Sequence, residues 1–203
     1  MDLQDKIILF FSGKDKTPIW QQFANEKQGK LKSTSGDLFV EYTYSNYKFQ
    51  IGEFTHYVTT GGKSYEKKYM IGIVAFSNLN NFEISIAPDD LFRKIGKIFK
   101  NNDINIGHKD FDNKFYIKSN HEFKAITILK DKALLEKIIS VNPTLLEITN
   151  DKGLFDENRP PEGKYMLHFA KQEKFKDLNQ LNFIHLLLST FIENLKVNCS
   201  IQN

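Results

Sequence analysis

Three carboxylates and an imidazole lie within ten residues of one another, at Asp103, His108, Asp110 and Asp112. Hard divalent cations take oxygen ligands and histidine can add a nitrogen, so one interpretation is a metal site built on Asp103, Asp110 and Asp112, for a metal-assisted hydrolase or nuclease. The alternative is a polar loop in which Asp110 or Asp112 accepts backbone amides as an Asx-turn before a strand. A catalytic metal needs ligands from more than one segment, and no second segment supplies them. We therefore expect the turn.

His185 is the second candidate. It falls between Leu181, Leu188 and Ile192 on the apolar side of a predicted helix. A histidine in that position is either a core residue with a hydrogen-bond partner or part of an interface, and we expect the core role because buried polar groups usually find partners. The candidate ligand-binding residues are therefore His108, Asp110, Asp112 and His185.

Signatures of catalysis are missing from the sequence. It has no G-x-S-x-G elbow and no H-E-x-x-H zinc motif. Gly61-Gly62-Lys63-Ser64 lacks the upstream glycine of a phosphate-binding loop and is predicted to be a turn. Cys199 is the only cysteine, which favours a reducing compartment. We expect no catalytic residue and no cofactor.

Charge is nearly balanced, with 28 basic and 25 acidic residues and a net charge of +3. A dedicated nucleic-acid-binding protein usually carries a larger excess, so nucleic acid is not the expected partner. Lysines nevertheless form three local clusters, which leaves open a salt-sensitive surface for anionic lipid or nucleic acid. The clusters are Lys27, Lys30 and Lys32; Lys63, Lys67 and Lys68; and Lys94, Lys97 and Lys100.

The elements that position these residues follow from periodicity. Residues 1–30 are predicted to form two helices, the second with Thr17 as N-cap and Pro18 as first helical residue. Residues 36–87 alternate with period two, which predicts an antiparallel meander of four or five strands with turns at Ser45-Asn46 and Gly61-Gly62.

Residues 88–203 are predicted to mix helices and strands. A helix opens at Pro88-Asp89, and the S-x-x-E pattern from Ser119 to Glu122 predicts a capping box at the start of another. Asp131 is predicted to cap the helix that follows. The longest helix runs from roughly Lys174 to Val197, with an apolar stripe wide enough to cover a sheet or a partner.

Three motifs together resemble a group of uncharacterised bacterial soluble proteins. They are Trp20-x-x-Phe23-Ala24 on a helix ending in Gly29, Asp103-Ile104-x-Ile106-Gly107, and Phe111-Asp112-x-x-Phe115-x-Ile117-x-Ser119-Asn120. The resemblance extends from about Trp20 to the last helix. In that group an acidic residue is expected after the glycine, whereas this sequence has His108. The F-D-x-x-F segment is also similar to a motif of bacterial membrane-anchored proteins. Both resemblances imply architecture and compartment, and neither implies an activity.

We therefore expect a single α+β domain spanning 1–203, in which an antiparallel β-meander packs against helices and the long C-terminal helix covers the sheet. No stretch approaches the roughly 18 apolar residues of a membrane span, so we expect a soluble, cytoplasmic protein. The expected function is a non-catalytic module that binds a protein or small ligand, with a homodimer through part of the final helix as one form.

Overall fold

A computed structural model describes residues 16–78, 80–89, 103–155, 158–198 and 201–202. The fold is α+β, as predicted, and every described strand pairing is antiparallel. The predicted helices near Asp2 and after Pro88-Asp89 fall largely outside the described residues, as does Cys199.

Helix α1 spans Thr17–Glu26 and buries Trp20, Phe23 and Ala24. It begins one residue earlier than predicted: Lys16 is the N-cap, it makes no side-chain cap bond, and Thr17 is already helical. Pro18 is favourable at the start of the helix, because backbone N–H groups in the first turn have no acceptor within the helix and proline lacks this group.

Four strands follow in a meander: β1 (Lys30–Thr34), β2 (Asp37–Tyr44), β3 (Tyr47–Thr60) and β4 (Lys63–Asn78). Both predicted turns are confirmed. Ser45 and Asn46 have positive φ angles of 47° and 69°, and Gly61 and Gly62 have 59° and 74°, as two-residue hairpin turns require. The two predicted hairpins share β3. This strand pairs with β2 on one side and with β4 on the other, from Lys48↔Ala75 to Thr60↔Lys63.

The second half of the chain completes the sheet and adds the helices. Its elements are β5 (Ile84–Ala87), α2 (Lys109–Asp112), β6 (Tyr116–Ser119), α3 (Glu122–Leu129), α4 (Lys132–Val141), β7 (Leu145–Thr149), β8 (Tyr165–Lys171), α5 (Leu178–Val197) and β9 (Ile201–Gln202). The strand order is β1-β2-β3-β4-β8-β7-β5-β6, and β9 pairs with the end of β4.

This order corrects the predicted meander after its fourth strand. β5 pairs with β6 and β7 and does not continue from β4, because β8 occupies that edge of β4 from Met70↔Lys171 to Phe76↔Tyr165. The chain therefore leaves the sheet after β4 and returns at β5, with β8 and β7 between the two strands.

The predicted capping box is also wrong in its details. His121 is the N-cap of α3, and its Nδ1 accepts a hydrogen bond from the Lys124 amide. Ser119 ends β6 instead, where its hydroxyl donates to the Glu83 carbonyl at 2.6 Å. Asp131, in contrast, caps α4 as predicted, accepting the Leu134 amide at 2.7 Å.

The C-terminal helix covers the sheet, as predicted, and begins at Leu178 with Asp177 as its N-cap. It packs so closely on β4 that a Cβ at Gly72 would lie 2.7 Å from Cδ1 of Leu188. Of the helices described, none is long and apolar enough to cross a membrane.

The sheet has two different faces, because alternate side chains of a strand point to opposite sides. On the helix-covered face, alternate residues of β2 and β3 such as Val40, Tyr42, Phe49 and Ile51 enter the main core. The opposite face has no helix over β1–β4 among the described residues, and a smaller apolar cluster that includes Phe155, Tyr69 and Ile71 covers part of it. We call this side of β1–β4 the open face.

Candidate functional site

Side chains of the candidate Asp103–Asp112 site accept hydrogen bonds from backbone amides of their own loop. Oδ1 of Asp112 accepts the Ile106 amide at 3.2 Å, and Nδ1 of His108 accepts the Phe111 amide at 3.3 Å as N-cap of α2. The Asx-turn itself belongs to Asn105, whose Oδ1 accepts the Gly107 amide at 2.8 Å. These side chains therefore complete the loop that leads into β6.

The remaining two carboxylates of that loop, Asp103 and Asp110, are exposed. Within the described ranges, no group of three or more His, Cys, Asp or Glu side chains is gathered as metal ligands would be. The structure thus does not bring the candidate metal-ligating residues together.

His185 lies in the aromatic end of the main core. Its Nδ1 and the Tyr42 hydroxyl share a hydrogen bond at 2.9 Å, and the rings of Tyr42, Tyr44 and Phe49 surround the imidazole at centroid distances of 5.2–6.0 Å. Burial, together with the nearby Lys27 ammonium, lowers the pKa of His185 to about 4. The imidazole is therefore neutral at physiological pH.

A buried polar cluster that the sequence reasoning missed lies on the other side of the sheet. Ser85 of β5 donates to Oε2 of Glu147 at 3.4 Å, and Nδ1 of His168 lies 3.4 Å from Oε1 of the same carboxylate. The register aligns Glu147 with both neighbours across β5 and β8. The available signal was a single carboxylate within the apolar stretch of β7.

This cluster has the residue types of a Ser-His-acid triad in the wrong arrangement. In a triad the histidine lies between the other two so that it can deprotonate the serine, whereas here the carboxylate lies between serine and histidine. The three residues are at most 2% exposed. Gly153 closes the cluster from above, because a Cβ there would fall 2.7 Å from the His168 ring. We therefore interpret the cluster as part of the packing between the strands and the loop that carries Gly153.

The open face carries more basic than acidic side chains. The strand register places Lys30 and Lys32 of β1, Lys48 of β3, and Lys63 and Lys67 of β4 on this face. Glu41 and Asp37 are the acidic residues that these strands contribute with the same alternation. Glu41 is paired with Lys32 at 2.5 Å, and both oxygens of Asp37 accept from Thr55.

Four of these five lysines keep their charge available. Among the described residues, Lys30, Lys48, Lys63 and Lys67 form no ion pair. Lys68 differs from its neighbour: it points to the other side of the hairpin and pairs with Glu66 at 3.0 Å. The sequence clusters are thus divided by the fold, and Lys94, Lys97 and Lys100 lie outside the described residues.

An open groove of about 1080 Å³ runs along this face. Its floor is formed by β2–β4 with Thr43, Lys48 and Gln50, and its two walls are the turn between α1 and β1 and the loop that carries Asn158 and Arg159. At the turn, Gly29 is required because a Cβ would lie 2.6 Å from the Glu41 carbonyl oxygen. We call this space the sheet groove.

The sheet groove has a positive balance. Its lining contains Lys27, Lys30, Lys48 and Arg159 against Glu26 and Glu41, and the largely buried cluster of Tyr42, Tyr44, Phe49 and His185 borders it from the helix-covered side of the sheet. Burial lowers the pKa of Lys27, although Glu26 opposes the shift. Oδ1 of Asn158 is buried and has no hydrogen-bond partner. The groove thus offers cations and amides without a nucleophile beside a base.

Comparison with models of known protein families, with curated proteins and with solved structures finds no match. The function is therefore inferred from the residues of this chain.

Proposed function

We propose that the protein is a non-catalytic binding module whose sheet groove holds an anionic ligand. The observation that supports this is the concentration of lysines without acidic partners on one face of the sheet. A balanced chain would scatter its charges, yet the open face of β1–β4 presents five lysines. Lys32 pairs with Glu41, Asp37 accepts from Thr55, and the other four lysines have no acidic partner among the described residues.

Anion binding at this position is physically favourable for two reasons. Lys30 of β1 and Lys48 of β3 line the groove from the two strands on either side of β2, so an anion between them is attracted by both. The groove is also walled on two sides, which excludes part of the solvent and strengthens the attraction relative to a flat surface. Thr43 and Gln50 on the floor can supply hydrogen bonds.

The test is calorimetric titration with tripolyphosphate at low ionic strength. Saturable binding is expected, weakened at least fivefold in Lys48→Glu and diminished by added salt, because the attraction is electrostatic. The control is Lys132→Glu, which makes the same change of charge on α4, in the helix layer. Equal affinity in Lys48→Glu and Lys132→Glu, or no binding by the wild-type protein, contradicts the proposal.

A further inference from the structure

The open face continues beyond the sheet groove onto a protruding two-stranded arm. Residues 55–60 of β3 and 63–68 of β4 pair only with each other, because β8 ends its pairing with β4 at Met70. The tip of this arm is exposed, including Tyr57 at 67% and Tyr65 at 54%. A large aromatic side chain left in solvent on such an arm is available for contact with a partner.

One side of the arm carries an aromatic ring between two cations. Lys63, Tyr65 and Lys67 are alternate residues of β4, so their side chains share the open face at intervals of about 7 Å. Opposite them in register are Thr60, Val58 and His56, none of which is acidic. The charged Glu66 lies on the other side and is occupied by Lys68.

The arm is fixed to the rest of the sheet on this same side. Phe155 packs against Phe54 at a centroid distance of 4.3 Å, against His56 at 5.1 Å and against Tyr69 at 4.8 Å. The side chains beyond His56 therefore project from an anchored base, and a ligand that joins the groove to the arm must pass beside Phe155. Along β3 the positions that face Lys67 and Lys63 lie about 26 and 40 Å from Lys48.

We propose that the anionic ligand is a single-stranded nucleic acid that runs from the sheet groove along the arm. A track of this length exceeds any small ligand, and it combines the two features that single-strand binding requires, namely cations for the phosphates and an exposed ring on which a base stacks. In this arrangement Tyr65 stacks a base while Lys63 and Lys67 contact the phosphates on either side. The inference rests on the proposed function, because the groove lysines begin the track.

The experiment measures fluorescence anisotropy with labelled dT12 and U12 and a matched duplex over a series of salt concentrations, and sedimentation of the protein with vesicles containing phosphatidylserine. Four lysines on phosphates predict a slope of log K against log salt of about −2.8, and Lys63→Gln with Lys67→Gln should make the slope less steep by about 1.4. Tyr65→Ala should weaken binding about five- to 150-fold. Tyr57→Ala is the matched control, because Tyr57 is an exposed tyrosine on the other side of the arm.

The outcomes separate this inference from the proposed function. Tripolyphosphate binding without tighter binding of the oligonucleotides, or arm variants that bind like wild type, overturns the nucleic-acid inference and leaves the anion site. If the wild-type protein binds neither tripolyphosphate nor the oligonucleotides, both the proposed function and this inference are wrong. Preference for the duplex, or binding only to vesicles containing phosphatidylserine, overturns the single-strand inference. Circular dichroism of each variant verifies that the arm changes leave the fold intact.

Discussion

Replacing Gly153 with alanine tests how the loop after β7 lies on the sheet. A Cβ at this position would fall 2.7 Å from Nδ1 and Cε1 of His168 and 2.9 Å from its Cγ, whereas packed atoms approach to about 3.5–4.0 Å. His168 is fully buried, so its ring has no solvent into which to move. Gly153 does not have a positive φ, so the conflict is one of space.

The expected magnitude follows from two opposing effects. Forcing an extra methyl into a packed site costs about 1–3 kcal/mol, and the reduced freedom of the unfolded chain returns about 0.4–1 kcal/mol. The net result is destabilisation of up to about 2.5 kcal/mol. Urea unfolding followed by the fluorescence of Trp20, the only tryptophan and fully buried, measures it directly.

A double-mutant cycle identifies the colliding partner. His168→Ala alone destabilises because it leaves a cavity and removes the partner of Glu147, but it also makes room for the new methyl group. Gly153→Ala should therefore be neutral or stabilising in the His168→Ala background, a coupling of about 1–3 kcal/mol. If Gly153→Ala costs the same in both backgrounds, or stabilises the wild-type protein, the loop does not lie on His168 and our reasoning is refuted.

Three further predictions concern the other polar contacts. Tyr42→Phe leaves Nδ1 of His185 without its partner and should lower the free energy of unfolding by about 1–3 kcal/mol in urea; an unchanged midpoint contradicts this. The folded pKa of His185 is below its ordinary value, so the unfolded chain binds the extra proton, and stability should fall as the pH drops from about 6.5 to about 4. His185→Gln should show a shallower fall over that window, and identical pH profiles would contradict the assignment. Asp112→Ala should cost about 0.5–1.5 kcal/mol because the Ile106 amide loses its acceptor, whereas Asp110→Ala, at an exposed position, should change the melting temperature little; equal losses would show that the two carboxylates share a role.

Local patterns predicted most individual elements. Period two and the residues at 45–46 and 61–62 indicated the hairpins, and Asp131 indicated its helix, because each signal depends on residues a few positions apart. The failures also have physical causes. β1 was not predicted because Leu31 is its sole large apolar residue, and Ser119 bonds Glu83 across the sheet, a contact between distant segments that outweighs the capping pattern.

The candidate sites also contain some features that the sequence could predict and others that depend on tertiary packing. The alternation of Lys63, Tyr65 and Lys67 is present in the sequence, and applying period two to the cations would have placed them on one side. Which side the helices cover could not be read there, because that depends on where α5 packs. Glu147 and His168 meet only because β7 and β8 are neighbours in a particular register.

The sequence by itself determined the class of the fold, the hairpins and the helix capped by Asp131, since hydrogen bonds and side-chain spacing within one element are set by adjacent residues. Only the tertiary structure decided the order of the strands, the buried Ser85–Glu147–His168 cluster and the basic open face. These features arise when distant segments compete to bury the same apolar surface. The strand that takes an edge, and the face that a helix covers, then fix which polar side chains meet and which remain in solvent.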